Sequence, residues 1–390
     1  MMGHCSRRAF LTTAAAAWVA KPGPGFAATP PAAPVAVAKC GSYGPGVAAS
    51  LDRMFDQLGG LGRLVRGKTV AIKINLTGSP TYRLGHARLE DSHYTHPDVI
   101  AATVHLMGKA GAHRIRLLES PWSTADPLEE YVLPANWEPR DILNAAPRVE
   151  FENTNWLGSG KSYSRFPVPG GGWIYPAYDL NHSYEKCDVF VSIAKMKDHA
   201  TAGITLSMKN CFGNTPCTIY GTGAGEDEPT LMPRGGRFMF HAGNRQPSKS
   251  SPQEKDPGSP REGGYRVPRI VAEICAARPI DLAIIDGIVT MAGGEGPWNR
   301  PPLTLVRPGV LVAGTNAVCT DAVAAALMDY DPMADRGQPP FETCDSTLRL
   351  GEELGIGTRD LKRIEVVGTP IREAMFSFAA LRAKAKQARG

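Results

Sequence analysis

What this 390-residue sequence lacks narrows it first. No C-x-x-C pair occurs among its eight cysteines, so neither an iron–sulfur ligand run nor a zinc ribbon is supported. No apolar run approaches the roughly 20 residues that a membrane-spanning helix needs. No internal repeat or heptad pattern appears, which removes solenoids and coiled coils. The excess of basic residues is small, a formal net charge of +5, and it is gathered at the two ends. Arg7, Arg8 and Lys21 precede residue 28 with no acid among them, and Arg372, Arg382, Lys384, Lys386 and Arg389 face only Glu373 near the C-terminus. The body between is slightly acidic, so the basic footprint of a nucleic-acid binder is absent. The basic tail, 371–390, reads as a solvated helix.

Turning to what is present, Ser6-Arg7-Arg8-Ala9-Phe10-Leu11 is a twin-arginine pattern, followed by the apolar segment Leu11 to Ala20, Lys21 and a small-residue region ending near Ala27. Residues 1–27 are therefore expected to be a cleavable export signal, with a Pro/Ala-rich linker over 28–34. The expected location is periplasmic or otherwise extracytoplasmic, with the twin-arginine translocase as a transient partner and no stable membrane anchor. That route moves folded chains, which favours a cofactor acquired beforehand without naming one. Cys5 would leave with the signal; the odd number of cysteines remaining cannot all pair. Cys211 and Cys217 are too widely spaced for a cluster motif, and Cys275 and Cys319 lie in apolar helical contexts and read as core.

From Val35 onward, β-rich runs alternate with helical spacing. Strands are expected at Val35–Ala38, Thr69–Leu76, Ala112–Leu118, Val189–Ile193, Asp281–Gly287, Leu303–Leu305, Val310–Gly314 and Ile364–Gly368. Helices are expected at Leu51–Leu64, from Pro97 to Gly108, at Thr205–Asn210, Val267–Ala277 and Asn316–Met328. Alternation of this kind predicts an α/β fold, a mostly parallel sheet with helices on both faces, in one large domain over 35–370. Residues 121–169 read as irregular capping structure with a small sheet near Phe166 to Tyr175. Residues 221–264, rich in Gly and Pro, read as a lid or a disordered loop.

Strand after strand ends in a polar group: Lys73 and Asn75, Glu119, Lys195 with Lys197, Asp198 and His199, and Asp286. In an open α/β sheet such ends share a rim, where ligands bind. Lys73 and Asn75 are two apart, so on a strand they point to one face. His96 precedes Pro97 at a helix start, where the dipole lowers an imidazole pKa and attracts anions. Lys209 and Asn210 follow on a helical turn. Gly294 and Gly296, in Met291–Pro297, let backbone approach a ligand, although that loop is neither a Walker A nor a dinucleotide fingerprint. Asp321 sits on an otherwise apolar helix and needs a partner. Singly, each of these also fits a solvated loop, a capping residue or an edge strand, and His86 and His93 read as surface histidines.

The stretches K-M-K-D-H (Lys195–His199) and T-L-S-M-K-N-C-F-G (Thr205–Gly213) together resemble the signature of the DUF362 family, a domain named for having no established function. K-x-N at Lys73–Asn75 and T-H-P at Thr95–Pro97 match further elements of that pattern, and the resemblance spans roughly 35–368. It implies that a histidine near His241 belongs to the site. Glu119-Ser120 stands where the family usually has Asp-Ser, and Asn316 replaces the first acid of a pattern in which Asp321 is the second. Some relatives carry a ferredoxin-like domain that this chain lacks, so electron transfer here implies a separate redox partner.

Three readings stand. In the first, an enzyme acts on a small anionic substrate: Lys195, Lys197, His199, His96 and His241 are catalytic, and Lys73, Asn75, Lys209, Asn210, Gly294 and Gly296 bind substrate. In the second, Glu119, Asp286 and Asp321 join His96 and His199 around a divalent metal, although nearby lysines oppose a cation. In the third, the protein binds a ligand without turnover. The cofactor stays unknown.

Overall fold

The computed structural model describes residues 29–155, 163–224, 232–233, 235–299 and 302–387. The expected export signal and Trp156 lie outside them. Eight strands build one sheet: β1 (Val35–Lys39), β2 (Thr69–Lys73), β3 (Arg114–Glu119), β4 (Val149–Asn153), β5 (Val189–Lys195), β6 (Leu282–Gly287), β7 (Val310–Gly314) and β8 (Val366–Gly368). Their order is β8-β1-β7-β6-β5-β2-β3-β4. β7 alone runs antiparallel to its neighbours. All other pairings are parallel, as the alternation predicts.

Alternate residues of each strand feed opposite cores. Val70 and Ile72 of β2, Val191 and Ile193 of β5 and Ile284 of β6 pack beneath α1 (Pro45–Gln57) and α2 (Pro97–Lys109). Ala71, Phe190 and Ala283, one residue out of phase, pack beneath α3 (Ser207–Asn210) and α4 (Gly263–Ala277). Val37, Ile285 and Val312 meet α5 (Ala317–Leu327). Every residue of β5 is buried, which is why it reads as a continuous apolar run rather than an alternating one.

Three expectations need correction. The helix read over Leu51–Leu64 breaks into Pro45–Gln57 and Leu61–Val65, because Gly59 and Gly60 take φ of 94° and 85° between them. β4 was expected to be irregular; it is an edge strand whose Glu150 pairs with Arg114 and Arg116 across the ladder at 2.7 and 2.6 Å. β5 runs through Lys195 rather than ending before it. Within 221–264, the described residues include a helical turn, Phe238–Ala242. The small sheet is a hairpin of Tyr163–Pro167 with Ala177–Asn181, and all seven described cysteines are unpaired. Among the described residues no helix is long and apolar enough to cross a membrane.

Candidate functional site

The carboxyl ends of β2, β3, β5 and β6 lie side by side, with Lys73 opposite Leu118 and Lys195 opposite Asp286. The rim exists, but its polar residues divide between two places.

The first is a cavity of about 530 Å³ that brings together Lys73, Asn75, Glu119, Lys197, His199, Lys209, Asn210 and His241. Sequence reasoning missed Arg237 and Glu295, which also line it. Four basic side chains thus face two carboxylates, so the cavity favours an anion. Most of these groups are already engaged. The Lys73 ammonium bonds Glu119 at 2.7 Å, the Ile74 carbonyl at 2.6 Å and the Asn210 amide oxygen at 3.2 Å. The Glu119 carboxylate also accepts from the Leu76 and Ser120 N–H groups at 2.8 and 2.9 Å. Lys197 donates to the carbonyls of His93 (2.8 Å) and Glu295 (3.2 Å). Arg237 donates to Ser120 and Thr215, fastening the Phe238–Ala242 turn over the cavity.

Lys209 is the exception. Its ammonium lies 4.7 Å over the Phe212 ring and makes no hydrogen bond or ion pair with the described residues. Burial lowers its pKa to about 8, with Glu295 opposing and Arg237 and Lys73 reinforcing the shift. Burial likewise lowers Lys73, against the pull of Glu119, and pushes Lys197 well below the usual lysine value.

Two histidines complete the cavity, and their neighbours fix their tautomers. His241 Nδ1 lies 2.6 Å from the Arg237 carbonyl. A carbonyl can only accept, so Nδ1 carries the proton and Nε2 is left as an acceptor. His199 Nδ1 accepts from the Thr201 backbone N–H at 3.0 Å. Its proton is therefore on Nε2, a donor. Burial holds both rings neutral: His241 falls to about 4, helped by Lys209, and His199 falls well below its ordinary value despite Glu295. The Glu295 carboxylate accepts from the Ala200 N–H at 3.0 Å and from the Asn299 amide at 3.1 Å, bonds that favour its charged form.

The second place is a closed cluster beneath α1 and α2. Lys195 bonds Asp286 at 2.9 Å, the Tyr43 hydroxyl at 2.9 Å and the Glu90 carbonyl at 2.7 Å. Asp286 accepts in addition from Tyr43 and from the His96 N–H at 3.0 Å. The His96 ring stacks on Tyr43 at 3.5 Å and accepts from the Asp98 N–H, capping α2. Burial lowers Lys195, against Asp286, and lowers His96 to about 3. Lys195 and His96, expected as catalytic, and Asp286, expected as a metal ligand, do not line the cavity. Their ladder positions send the side chains of β5 and β6 to the far face of the sheet.

Three more expectations change. Asp321 accepts from Ser207 N–H (2.9 Å), Ser207 Oγ (2.6 Å) and Met208 N–H (2.9 Å), so it caps α3 and sets the turn that presents Lys209. Burial raises it to about 6 in spite of those bonds. Asn316 caps α5 by accepting from the Cys319 N–H at 3.1 Å. Gly294 and Gly296 admit neighbouring side chains closely: a Cβ at Gly294 would stand 2.4 Å from Asn299 and one at Gly296 2.2 Å from Trp298. Glu119, Asp286 and Asp321 therefore sit apart, and among the described residues no three His, Cys, Asp or Glu side chains gather as a metal-binding group. His93, expected at the surface, is buried. The missed residues carried weak signals, Glu295 inside the glycine-rich loop and Arg237 one turn before His241.

A family profile described as a domain of unknown function, DUF362, matches residues 70–326. A thylakoid-associated protein of Synechocystis sp. is 25% identical over 303 residues, covering 76% of this chain and 75% of that protein. Among solved structures, the lactate racemase apoprotein of Thermoanaerobacterium thermosaccharolyticum aligns at 13% identity and TM-score 0.35, over 69% of this chain and 52% of that one. A Thermotoga maritima protein aligns at 13% identity and TM-score 0.31, over 65% and 55%. This chain spans little more than half the length of those two structures, and at such scores neither carries an argument about the site.

Proposed function

The chain belongs to the DUF362 family, and on that premise we propose that it is an enzyme that moves a proton on a small anionic substrate held in the rim cavity. The observation that carries this reading is the Lys209 ammonium, without a hydrogen bond or ion pair among the described residues, beside two neutral histidines of opposite tautomer. Lys209 receives a carboxylate or phosphate oxygen, an interaction strengthened by the low polarity around it. His241 Nε2 takes a proton from the bound molecule, and His199 Nε2–H supplies one to an oxygen. Near neutral pH both imidazoles are uncharged, which leaves His241 Nε2 free to accept and His199 Nε2–H free to donate, and a positioned general base contributes on the order of 10²–10⁴-fold. Lys73 has all three ammonium donors engaged, by Glu119, the Ile74 carbonyl and Asn210, and with Glu119 and the doubly bonded Lys197 it holds the walls.

The test is solvent-deuterium exchange into a pool of small carboxylates and phosphates, read by mass spectrometry. Incorporation into one compound that His241→Ala abolishes supports the reading. Sulfate binding that is unchanged in Lys209→Met, with no exchange into any compound, sinks it.

The same proposal places this chemistry outside the cytoplasmic membrane, after twin-arginine export. Periplasmic recovery of a shortened chain, lost in Arg7→Lys/Arg8→Lys, is the expected result; a full-length cytoplasmic product removes that part.

A further inference from the structure

The mouth of the cavity carries chemistry that a bare anion does not require. Tyr82, Trp122, Phe238 and Trp298 all line it, and they are 40%, 44%, 77% and 41% exposed. Among the described residues, every exposed Trp, Tyr or Phe belongs to this one mouth. Aromatic rings scattered by chance over a surface would not collect around one opening, and a contiguous exposed apolar patch beside a cavity marks a binding surface.

These rings are also seated. Tyr82 stands 5.8 Å from Trp122 and 6.0 Å from Trp298, centroid to centroid. The back of Trp298 fits against Gly78 and Gly296, where added Cβ atoms would come within 2.3 and 2.2 Å of it. Trp122 fits against Gly236, where a Cβ would come within 1.8 Å. The Trp298 indole N–H donates to Glu295 Oε1 at 3.1 Å, which fixes the ring relative to the charged floor. Glycines at three contact points and a hydrogen bond to a floor carboxylate hold exposed rings that nothing among the described residues covers. An exposed tryptophan kept in one pose is a preorganised wall.

Wall and floor differ in kind. Below lie Lys209 and the histidines; above lie four aromatic faces. We propose that the ligand of this cavity is an amphiphilic anion, a planar aromatic or conjugated ring bearing a carboxylate or phosphate. Its ring packs among Trp122, Tyr82 and Trp298, and its charged group reaches Lys209. This rests on the anion reading above and narrows it to a substrate class. Aromatic rings pack offset or edge-on and gain more from one another than their buried area alone supplies, which gives discrimination by shape that lysines do not.

The test uses the mature chain and three matched probes in titration calorimetry: 2-naphthoate, 2-naphthamide, which keeps the ring and drops the charge, and cyclohexanecarboxylate, which keeps the charge and drops the flat ring. The expected order places 2-naphthoate about tenfold tighter than either of the others, the scale of one good aromatic contact or one charge-assisted bond. Trp122→Leu weakens 2-naphthoate by about as much and leaves cyclohexanecarboxylate unchanged, whereas Lys209→Met weakens both carboxylates and leaves the amide unchanged. Trp122 is exposed and its indole N–H has no acceptor among the described residues, so the leucine variant keeps the fold; an unchanged melting curve verifies this. If the two carboxylates bind equally and Trp122→Leu changes neither, the ring preference is overturned while the anion reading stands. If the amide binds as tightly as 2-naphthoate, or no carboxylate binds, both fall.

Discussion

His199 and His241 face one cavity with the same nitrogen, Nδ1, committed in opposite roles. Nδ1 of His199 accepts from the Thr201 N–H at 3.0 Å, while Nδ1 of His241 donates to the Arg237 carbonyl at 2.6 Å. One ring therefore offers a proton and the other a lone pair. Replacing His241 with Ala should lower turnover by about 10²-fold or more while leaving sulfate affinity near wild type. His199→Ala should do the same. Loss of sulfate binding in both would assign the rings to the anion instead.

The His241 ring also makes a stability prediction. Its folded pKa is about 4, against an ordinary 6.5. Between those values the unfolded chain binds the proton and the folded chain does not. Its contribution is therefore complete above about 6.5 and is lost as pH falls toward 4. The stability of wild type relative to His241→Phe should decline across that window, measured by urea unfolding at several pH values. Taking the difference cancels groups such as Asp321, whose raised pKa acts in the opposite sense. A pH-independent difference contradicts a buried, neutral His241.

Lys209, at about 8, should lose its charge within the range where proteins are readily studied. Sulfate keeps its charge there, so its affinity should fall as pH rises through about 8, and the fall should be absent in Lys209→Met. Titration calorimetry reads both. A lysine still fully charged at pH 9.5 or so would flatten the curve.

Lys195 and Asp286 should behave as a structural pair. Asp286→Asn leaves an ammonium buried without its counter-charge and should cost about 3–5 kcal/mol. The double change Lys195→Met/Asp286→Leu should recover much of that loss, because it removes both desolvation costs. Denaturant midpoints decide this. Ligand binding in the double variant should be unchanged, the opposite of what the sequence motif alone suggests.

Gly296→Ala should displace Trp298, since the new methyl would stand 2.2 Å from the indole. The indole would then leave Glu295, shifting tryptophan fluorescence toward that of a solvated ring. An unchanged spectrum would mean that the ring has room to give.

Much of the fold was legible because it rests on local patterns. The run through β5, the helix opening at Pro97 and the helix from Asn316 to Met328, whose two ends are the cap residues of α5, all follow from periodicity and capping preferences. β4 is less legible only because it is short: Val149-Glu150-Phe151-Glu152 does show the two-residue period of a strand, but the arginines that pair with its glutamates lie on β3, far off in sequence.

The sequence by itself determined a parallel α/β sheet and a rim of polar strand ends, since both depend on side-chain pattern along the chain. Only the tertiary structure decided which rim residues meet. Lys195 and Lys197 are two positions apart, yet the strand ends at Lys195, and the chain restarts as a separate ribbon at Lys197. One ammonium is sealed against Asp286 and the other reaches the cavity. Asp321 became a cap, and Gly296 a seat for Trp298, for the same reason. A polar residue's role is set by what the fold brings to it across long sequence separations, and no local spacing encodes that partner.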